Sequence, residues 1–193
     1  TPLAEYKSQN RGGMGSKGSA SRDEDFIEHI YPASMHSTMM FFTQKGRCYW
    51  LKVYEIPEGS KTSKGRAIQN LLNIESDDAV TAFIRVKQLQ DPEYNMNHYL
   101  LFCTKDGIIK KTRLEAYSRP RQNGVNAIII RENDKVIQVR LTNGTNEGII
   151  ANKNGRAIRF NESRVRDMGR ISTGVKGMEL DDENDEVVGM VVV

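Results

Sequence analysis

The segment Lys7 to Arg22, KSQNRGGMGSKGSASR, combines Lys7, Arg11, Lys17 and Arg22 with four glycines and no carboxylate. Such a loop is built to hold an anion, because glycine lets backbone N–H groups approach phosphate oxygens beside the cationic side chains. Gly13, Gly15 and Gly18 match the spacing of a dinucleotide-binding loop. That motif works only between a strand and a helix of a βαβ unit, and the residues after this loop read as strand. A phosphate-binding loop of the ATPase kind also fails, since Ser19 stands where a lysine must follow the last glycine.

The search for a nucleophile, acid/base pair or metal set returns nothing usable. His29, His36 and His98 are scattered, and Cys48 and Cys103 sit in apolar stretches without Cys/His spacing. Small buried side chains are the expectation for both cysteines. Tyr6 and Tyr117 occupy matched positions of a repeat, which favours a structural role, and the acidic turns read as hairpin connections rather than calcium loops. No catalytic, metal or cofactor residue is expected in this chain.

These loops are positioned by a repeat. FFTQKGRCYWLKVYEIP from Phe41, FCTKDGIIKKTRLEAYS from Phe102 and IANKNGRAIRFNESRVR from Ile150 bring Gly46, Gly107 and Gly155 into one column. Each reads as strand, tight glycine turn, strand. A second column aligns Gly65, Gly124 and Gly174, and the acidic turns around Asp77, Asp134 and Asp182 come next. A further strand leaves each acidic turn: VTAFIRV, VIQVRLT and VVGMVVV. The period of roughly 50 to 60 residues, with about four strands per unit, is that of a propeller-type blade. The expectation is an all-β chain with blade repeats at about 23–78, 79–134 and 135–185, and the start of another at 186–193. Phe26 to Ser34 fits strand positions, and the loop over 7–22 is an enlarged copy of one that every repeat carries.

With 38% hydrophobic and 27% charged residues among 193, the chain is globular in composition, and no run approaches the roughly 20 apolar residues of a membrane span. It begins without methionine or a signal pattern and reads as an excised piece of a cytoplasmic protein. A net charge of +3 decides little, whereas its distribution decides more. Lys61, Lys64 and Arg66 lie in a carboxylate-free window, Arg119 and Arg121 in another. Arg164, Arg166, Arg170 and Lys176 lie in a window whose single acid is Asp167. Because the windows share one column of the repeat, they are expected to form a basic track along the perimeter, suited to duplex DNA.

PLAEYKSQNRGGMG, EDFIEHI, GRCYWLKVYEIPEGS, GRAIQNLL, SRPRQNGV and VRDMGRISTGVKGMEL together closely resemble the C-terminal domain of bacterial DNA gyrase A proteins, of the type IIA topoisomerase family. The resemblance covers essentially the whole chain. It implies a six-bladed β-pinwheel, a propeller-like ring with strands exchanged between blades, of which three to four blades are here. It also implies a DNA-wrapping box, carried here by Gln9, Arg11, Gly12, Gly13 and Gly15, with Asn10 and Met14 in place of basic residues. The implied setting is a bacterial, nucleoid-associated A2B2 holoenzyme in which gyrase A pairs with a second gyrase A and with gyrase B, using ATP and Mg2+ outside this domain. The alternatives are the corresponding domain of topoisomerase IV, and a propeller-type scaffold that binds an acidic protein.

Overall fold

The structure, a computed structural model, describes residues 37–56 and 71–193. The box loop with Lys7, Gln9, Arg11, Gly12, Gly13, Gly15, Lys17 and Arg22 lies outside the described residues, as do the strand expected over 26–34 and Lys61, Lys64 and Arg66.

The described residues form three antiparallel sheets. The first runs β3 (Val80–Val86), β1 (Thr38–Thr43), β2 (Arg47–Lys52), β6 (Val125–Asn126). The second runs β10 (Val175–Lys176), β5 (Ile108–Arg113), β4 (Tyr99–Thr104), β7 (Val136–Thr142), and the third β11 (Val187–Val192), β8 (Glu147–Asn152), β9 (Ala157–Asn161). β3 packs against β7 and β7 against β11, one strand from each sheet, so the sheets share an inner side. β6 and β10 therefore form outer edges, which is the layout of propeller blades.

Each hairpin turns where the repeat places glycine, with Gly46, Gly107 and Gly155 at φ of 89°, 89° and 88°. A side chain three residues before each glycine closes the turn: Thr43 Oγ1 accepts from Arg47 N at 3.1 Å, Thr104 Oγ1 from Ile108 N at 3.2 Å, and Asn152 Oδ1 from Arg156 N at 2.7 Å. The sequence thus encodes the same bend three times.

The sheets do not follow the repeat units bounded at 78/79 and 134/135. β3 pairs with β1 rather than joining β4 and β5, and β6, which follows the second hairpin in sequence, completes the first sheet through Val125 opposite Cys48. β10 does the same for the second sheet, with Val175 opposite Ile109. Strand pairing is a long-range choice that a linear alignment cannot register. The second and third repeats therefore each lend a loop strand to the sheet before.

The packing of the second sheet between the other two explains the burial pattern. β4 is sandwiched, with Leu100 and Phe102 packed toward the first sheet and Leu101 and Cys103 toward the third. Apolar residues on both faces replace the alternation of a half-exposed strand. Phe42 meets Phe102 edge-on with ring centroids 5.4 Å apart, and the buried Tyr117 donates its hydroxyl to the Ala127 carbonyl at 3.0 Å. Burial of each such ring contributes about 1.5–3 kcal/mol. Burial also raises the thiol of Cys103 to about 12 and that of Cys48 well above its ordinary value, so both are unreactive packing groups.

An α-helix, α1 (Pro92–Met96), lies on the connection from β3 to β4. It is started by Asp91 accepting from Glu93 N at 3.0 Å and by proline in its first turn.

Candidate nucleic-acid interface

The outer edge collects the cations. After the second strand of each hairpin the chain makes a short 3-10 turn, Val53–Glu55, Leu114–Tyr117 or Glu162–Arg164. The loops after the second and third turns lead to β6 and β10 and carry Arg119, Arg121 and Arg170. These three arginines line one open cleft of about 370 Å³ together with Trp50, Glu115, Ala116, Val125 and Ile171. A neighbouring cleft of about 340 Å³ shares Trp50 and Arg121 and extends to Lys52, Leu71 and Pro120. Trp50 from the first repeat, Arg119 and Arg121 from the second and Arg170 from the third are thus brought to one place.

The loops are pinned from behind. Arg47 donates to Asn123 O at 2.6 Å and to Asn126 Oδ1 at 3.0 Å, and Arg170 donates to Asn126 O at 3.0 Å. Trp50 Nε1 donates to Tyr117 O at 3.1 Å. The fully buried Lys110 donates through Nζ to the carbonyls of Ala127 at 2.7 Å, Arg170 at 2.6 Å and Ser172 at 3.3 Å. Burial, and then the nearby Arg170 guanidinium, lower its pKa to about 7. Its partners are carbonyl dipoles, so it adds no carboxylate to the edge.

Charges at the hairpin turns are arranged differently. Lys45 pairs with Asp77, and Arg156 with Asp181. The hydrogen bond between Lys45 and Asp77 raises the first pKa and lowers the second. The last aspartate of each acidic turn is a backbone cap: Asp78 accepts from Lys45 N at 3.1 Å, Asp134 from Asp106 N at 3.0 Å, and Asp185 from Asp181 N at 3.0 Å. Acidic turns thus hold hairpins, and those of the first and third repeats also pair with a cation beside them, whereas Lys105 at the second donates to the Asn133 carbonyl at 2.8 Å. Among the described residues Arg119, Arg121, Arg164, Arg166 and Arg170 make no ion pair. The exposed Lys176 does, lying 3.2 Å from Glu179. Arg164 ends the third 3-10 turn and Arg166 lies two residues on, both exposed; neither lines the cleft.

Four contributors carry no signal in the charge windows. Arg47 and Trp50 sit on a strand rather than in a loop, and Ile171 is uncharged. Lys110, the fourth, has a signal of another kind: three residues beyond the turn glycine the other repeats carry Tyr49 and Ile158, so a lysine there is out of pattern.

A family described as DNA gyrase C-terminal domain, beta-propeller, matches residues 1–34, 37–87, 98–143 and 149–193. The unmatched 88–97 hold α1. The DNA gyrase A protein of Halalkalibacterium halodurans is 46% identical over 177 residues, 92% of this chain and 21% of that protein. Its counterpart in Haemophilus influenzae is 40% identical over 184 residues, 95% of this chain and 20% of that protein. The chain therefore spans about a fifth of these relatives, 20–21% of their length. Among solved structures, the C-terminal domain of DNA topoisomerase IV aligns with a TM-score of 0.78 at 30% identity, covering 92% of this chain and 53% of that one. A DNA gyrase A C-terminal domain aligns at 0.69 and 22% identity, covering 100% and 60%, a likeness of fold. The chain belongs to the DNA gyrase C-terminal domain family.

Proposed function

We propose that this member of the family binds duplex DNA along its outer edge and bends it, as the wrapping module of a gyrase A protein. The observation that supports this reading most is the convergence of Arg119, Arg121 and Arg170 in one open cleft without ion pairs, while Lys45 and Arg156 are neutralised by acidic turns. Cations left unpaired on a curved edge release counterions when phosphates replace water and salt around them. With Lys45 and Arg156 already paired, the unpaired arginines of the cleft offer a polyanion the more favourable contacts.

Bending a site of a few tens of base pairs costs on the order of 1–6 kcal/mol, which no single loop offsets. Successive loops, of which those of the second and third repeats are lent to the sheet before, would supply phosphate contacts in series along the same edge. Wrapping by this module would present a second segment of the same DNA to an ATP- and Mg2+-dependent A2B2 holoenzyme with a fixed handedness, and so set the sign of supercoiling. Strand cleavage and ATP hydrolysis belong to other parts of that assembly. In this reading the protein works in the bacterial cytoplasm, at the nucleoid.

The likeness to topoisomerase IV favours a second reading, the equivalent domain of that enzyme. A relaxed circle ligated in the protein's presence decides between them. A linking-number change that grows with protein supports wrapping, and tight binding without such a change favours the topoisomerase IV reading. Binding that ignores salt and fragment length would remove both and leave an acidic-protein scaffold.

A further inference from the structure

We propose that Ile171 is an apolar wedge that enters the minor groove of bound duplex DNA and kinks it at the cleft. The inference rests on the DNA-binding reading above and names how the bend is made.

Ile171 is 75% exposed, more than any other large apolar side chain among the described residues. It lies at the cleft beside Arg119, Arg121 and Arg170. Three residues before the loop glycine, Gly124 in one repeat and Gly174 in the next, it occupies the place that Arg121 holds. A scattered exposed isoleucine means little. This one stands on a loop whose backbone is drawn inward on both sides of it.

The Lys110 ammonium binds the carbonyl of Arg170 at 2.6 Å and that of Ser172 at 3.3 Å, the residues on either side of Ile171. Ser172 O also accepts from Ile129 N at 2.9 Å, and Ser172 Oγ donates to Gly169 O at 2.7 Å. Gly174 presses so close to the Ile109 carbonyl that a Cβ would stand 2.4 Å from it. With its neighbours tied down, Ile171 is held outward although the cleft offers Trp50, Val125 and Ala116 as apolar cover. Rigid presentation of an apolar tip among arginines is the arrangement by which proteins unstack a base step and bend DNA by roughly 20–90°. The arginines hold the phosphates on both sides of the groove, and the isoleucine takes the place of the lost stacking partner. Pyrimidine–purine steps, which unstack most readily, would then be preferred at this point of the path.

The test uses the intact protein with end-labelled duplexes of about 30 base pairs, with and without a central TA step. The end-to-end distance is read by energy transfer, and unstacking by 2-aminopurine placed at that step. Wild type should shorten the TA duplex and brighten the probe. Ile171→Ala should lose both signals and the TA preference while keeping the slope of log affinity against log salt, and Ile171→Leu should retain them. Lys110→Met, which frees the loop, should weaken the kink with Ile171 intact. An unchanged bend and probe signal in Ile171→Ala would overturn the wedge and leave the DNA-binding reading standing. Absence of salt-dependent binding by wild type would overturn both.

Discussion

The Lys110 ammonium and the Arg170 carbonyl oxygen lie 2.6 Å apart, joining a buried strand of the second sheet to a surface loop of the third repeat. The loop is thereby fixed to the sheet that receives it, and the Arg170 side chain reaches on to Asn126. A buried cation held by carbonyls serves as the fastener between repeats.

That fastener gives stability a pH dependence. Folding lowers the Lys110 pKa from 10.5 to about 7, so above pH 7 the unfolded chain binds more protons than the folded one. Stability then rises with pH, by up to about 1.4 kcal/mol per unit. The window is limited from above by Cys103, whose thiol keeps its proton to about 12 when folded but ionises near 9.0 when unfolded, which turns the slope the other way. Denaturant midpoints of wild type and Lys110→Met, taken from pH 7 to 9, should diverge, with wild type gaining as pH rises and the variant flat. Parallel profiles would show that Lys110 does not titrate in this range.

The hairpin glycines test strand exchange directly. Gly107 and Gly155 share the same backbone conformation, at φ of 89° and 88°, so alanine at either costs about 1–2 kcal/mol of strain. At Gly107 a Cβ would also stand 2.6 Å from the Met178 carbonyl, on the segment lent by the next repeat, whereas around Gly155 there is open space. Gly107→Ala should therefore lose a further 1–3 kcal/mol or so relative to Gly155→Ala. Equal losses, read from denaturant midpoints, would mean that the lent segment does not press on the turn.

This asymmetry separates what is legible in the sequence from what is not. The turn at Gly46, Gly107 and Gly155 is readable because one local bend is written three times and glycine at positive φ is a local requirement. The carboxylate-free windows are readable for the same reason. Which sheet β6 joins is not, because Val125 finds Cys48 across 77 positions of chain, and no local pattern specifies a partner at that distance. Trp50 becomes part of the cleft only through that pairing. α1 is legible in principle, since Asp91 followed by proline is a helix start, but it interrupts the repeat rather than belonging to it.

Glu162 offers a test of the third 3-10 turn. Fully buried, it stands seven residues past the turn glycine, where the other repeats have Leu114 and Val53. Its carboxylate accepts from Thr142 Oγ1 at 2.7 Å and Asn146 N at 2.9 Å, while its carbonyl accepts from Lys111 Nζ. Glu162→Gln can keep both contacts, its Oε1 accepting from Asn146 N and its amide donating to Thr142 Oγ1, whose hydroxyl turns to accept, and should cost less than about 1 kcal/mol. Glu162→Leu restores the pattern of the second repeat but abandons both donors, and should cost more. A leucine variant as stable as wild type in thermal melts would show that the polar contacts contribute nothing net.

The arginines of the outer edge and those of the hairpin end should behave differently toward DNA, although all are exposed or nearly so. Each phosphate left without its cation lowers the slope of log affinity against log salt by about 0.9. Arg119→Ala with Arg121→Ala should therefore flatten the slope by about 1.8. Arg156→Ala removes the same charge from a side chain already paired with Asp181, and should leave the slope unchanged. Net charge alone would make one arginine as good as another. A slope that falls equally for Arg156 would mean that the whole basic surface attracts DNA diffusely, and the path along β6 and β10 would lose its physical basis.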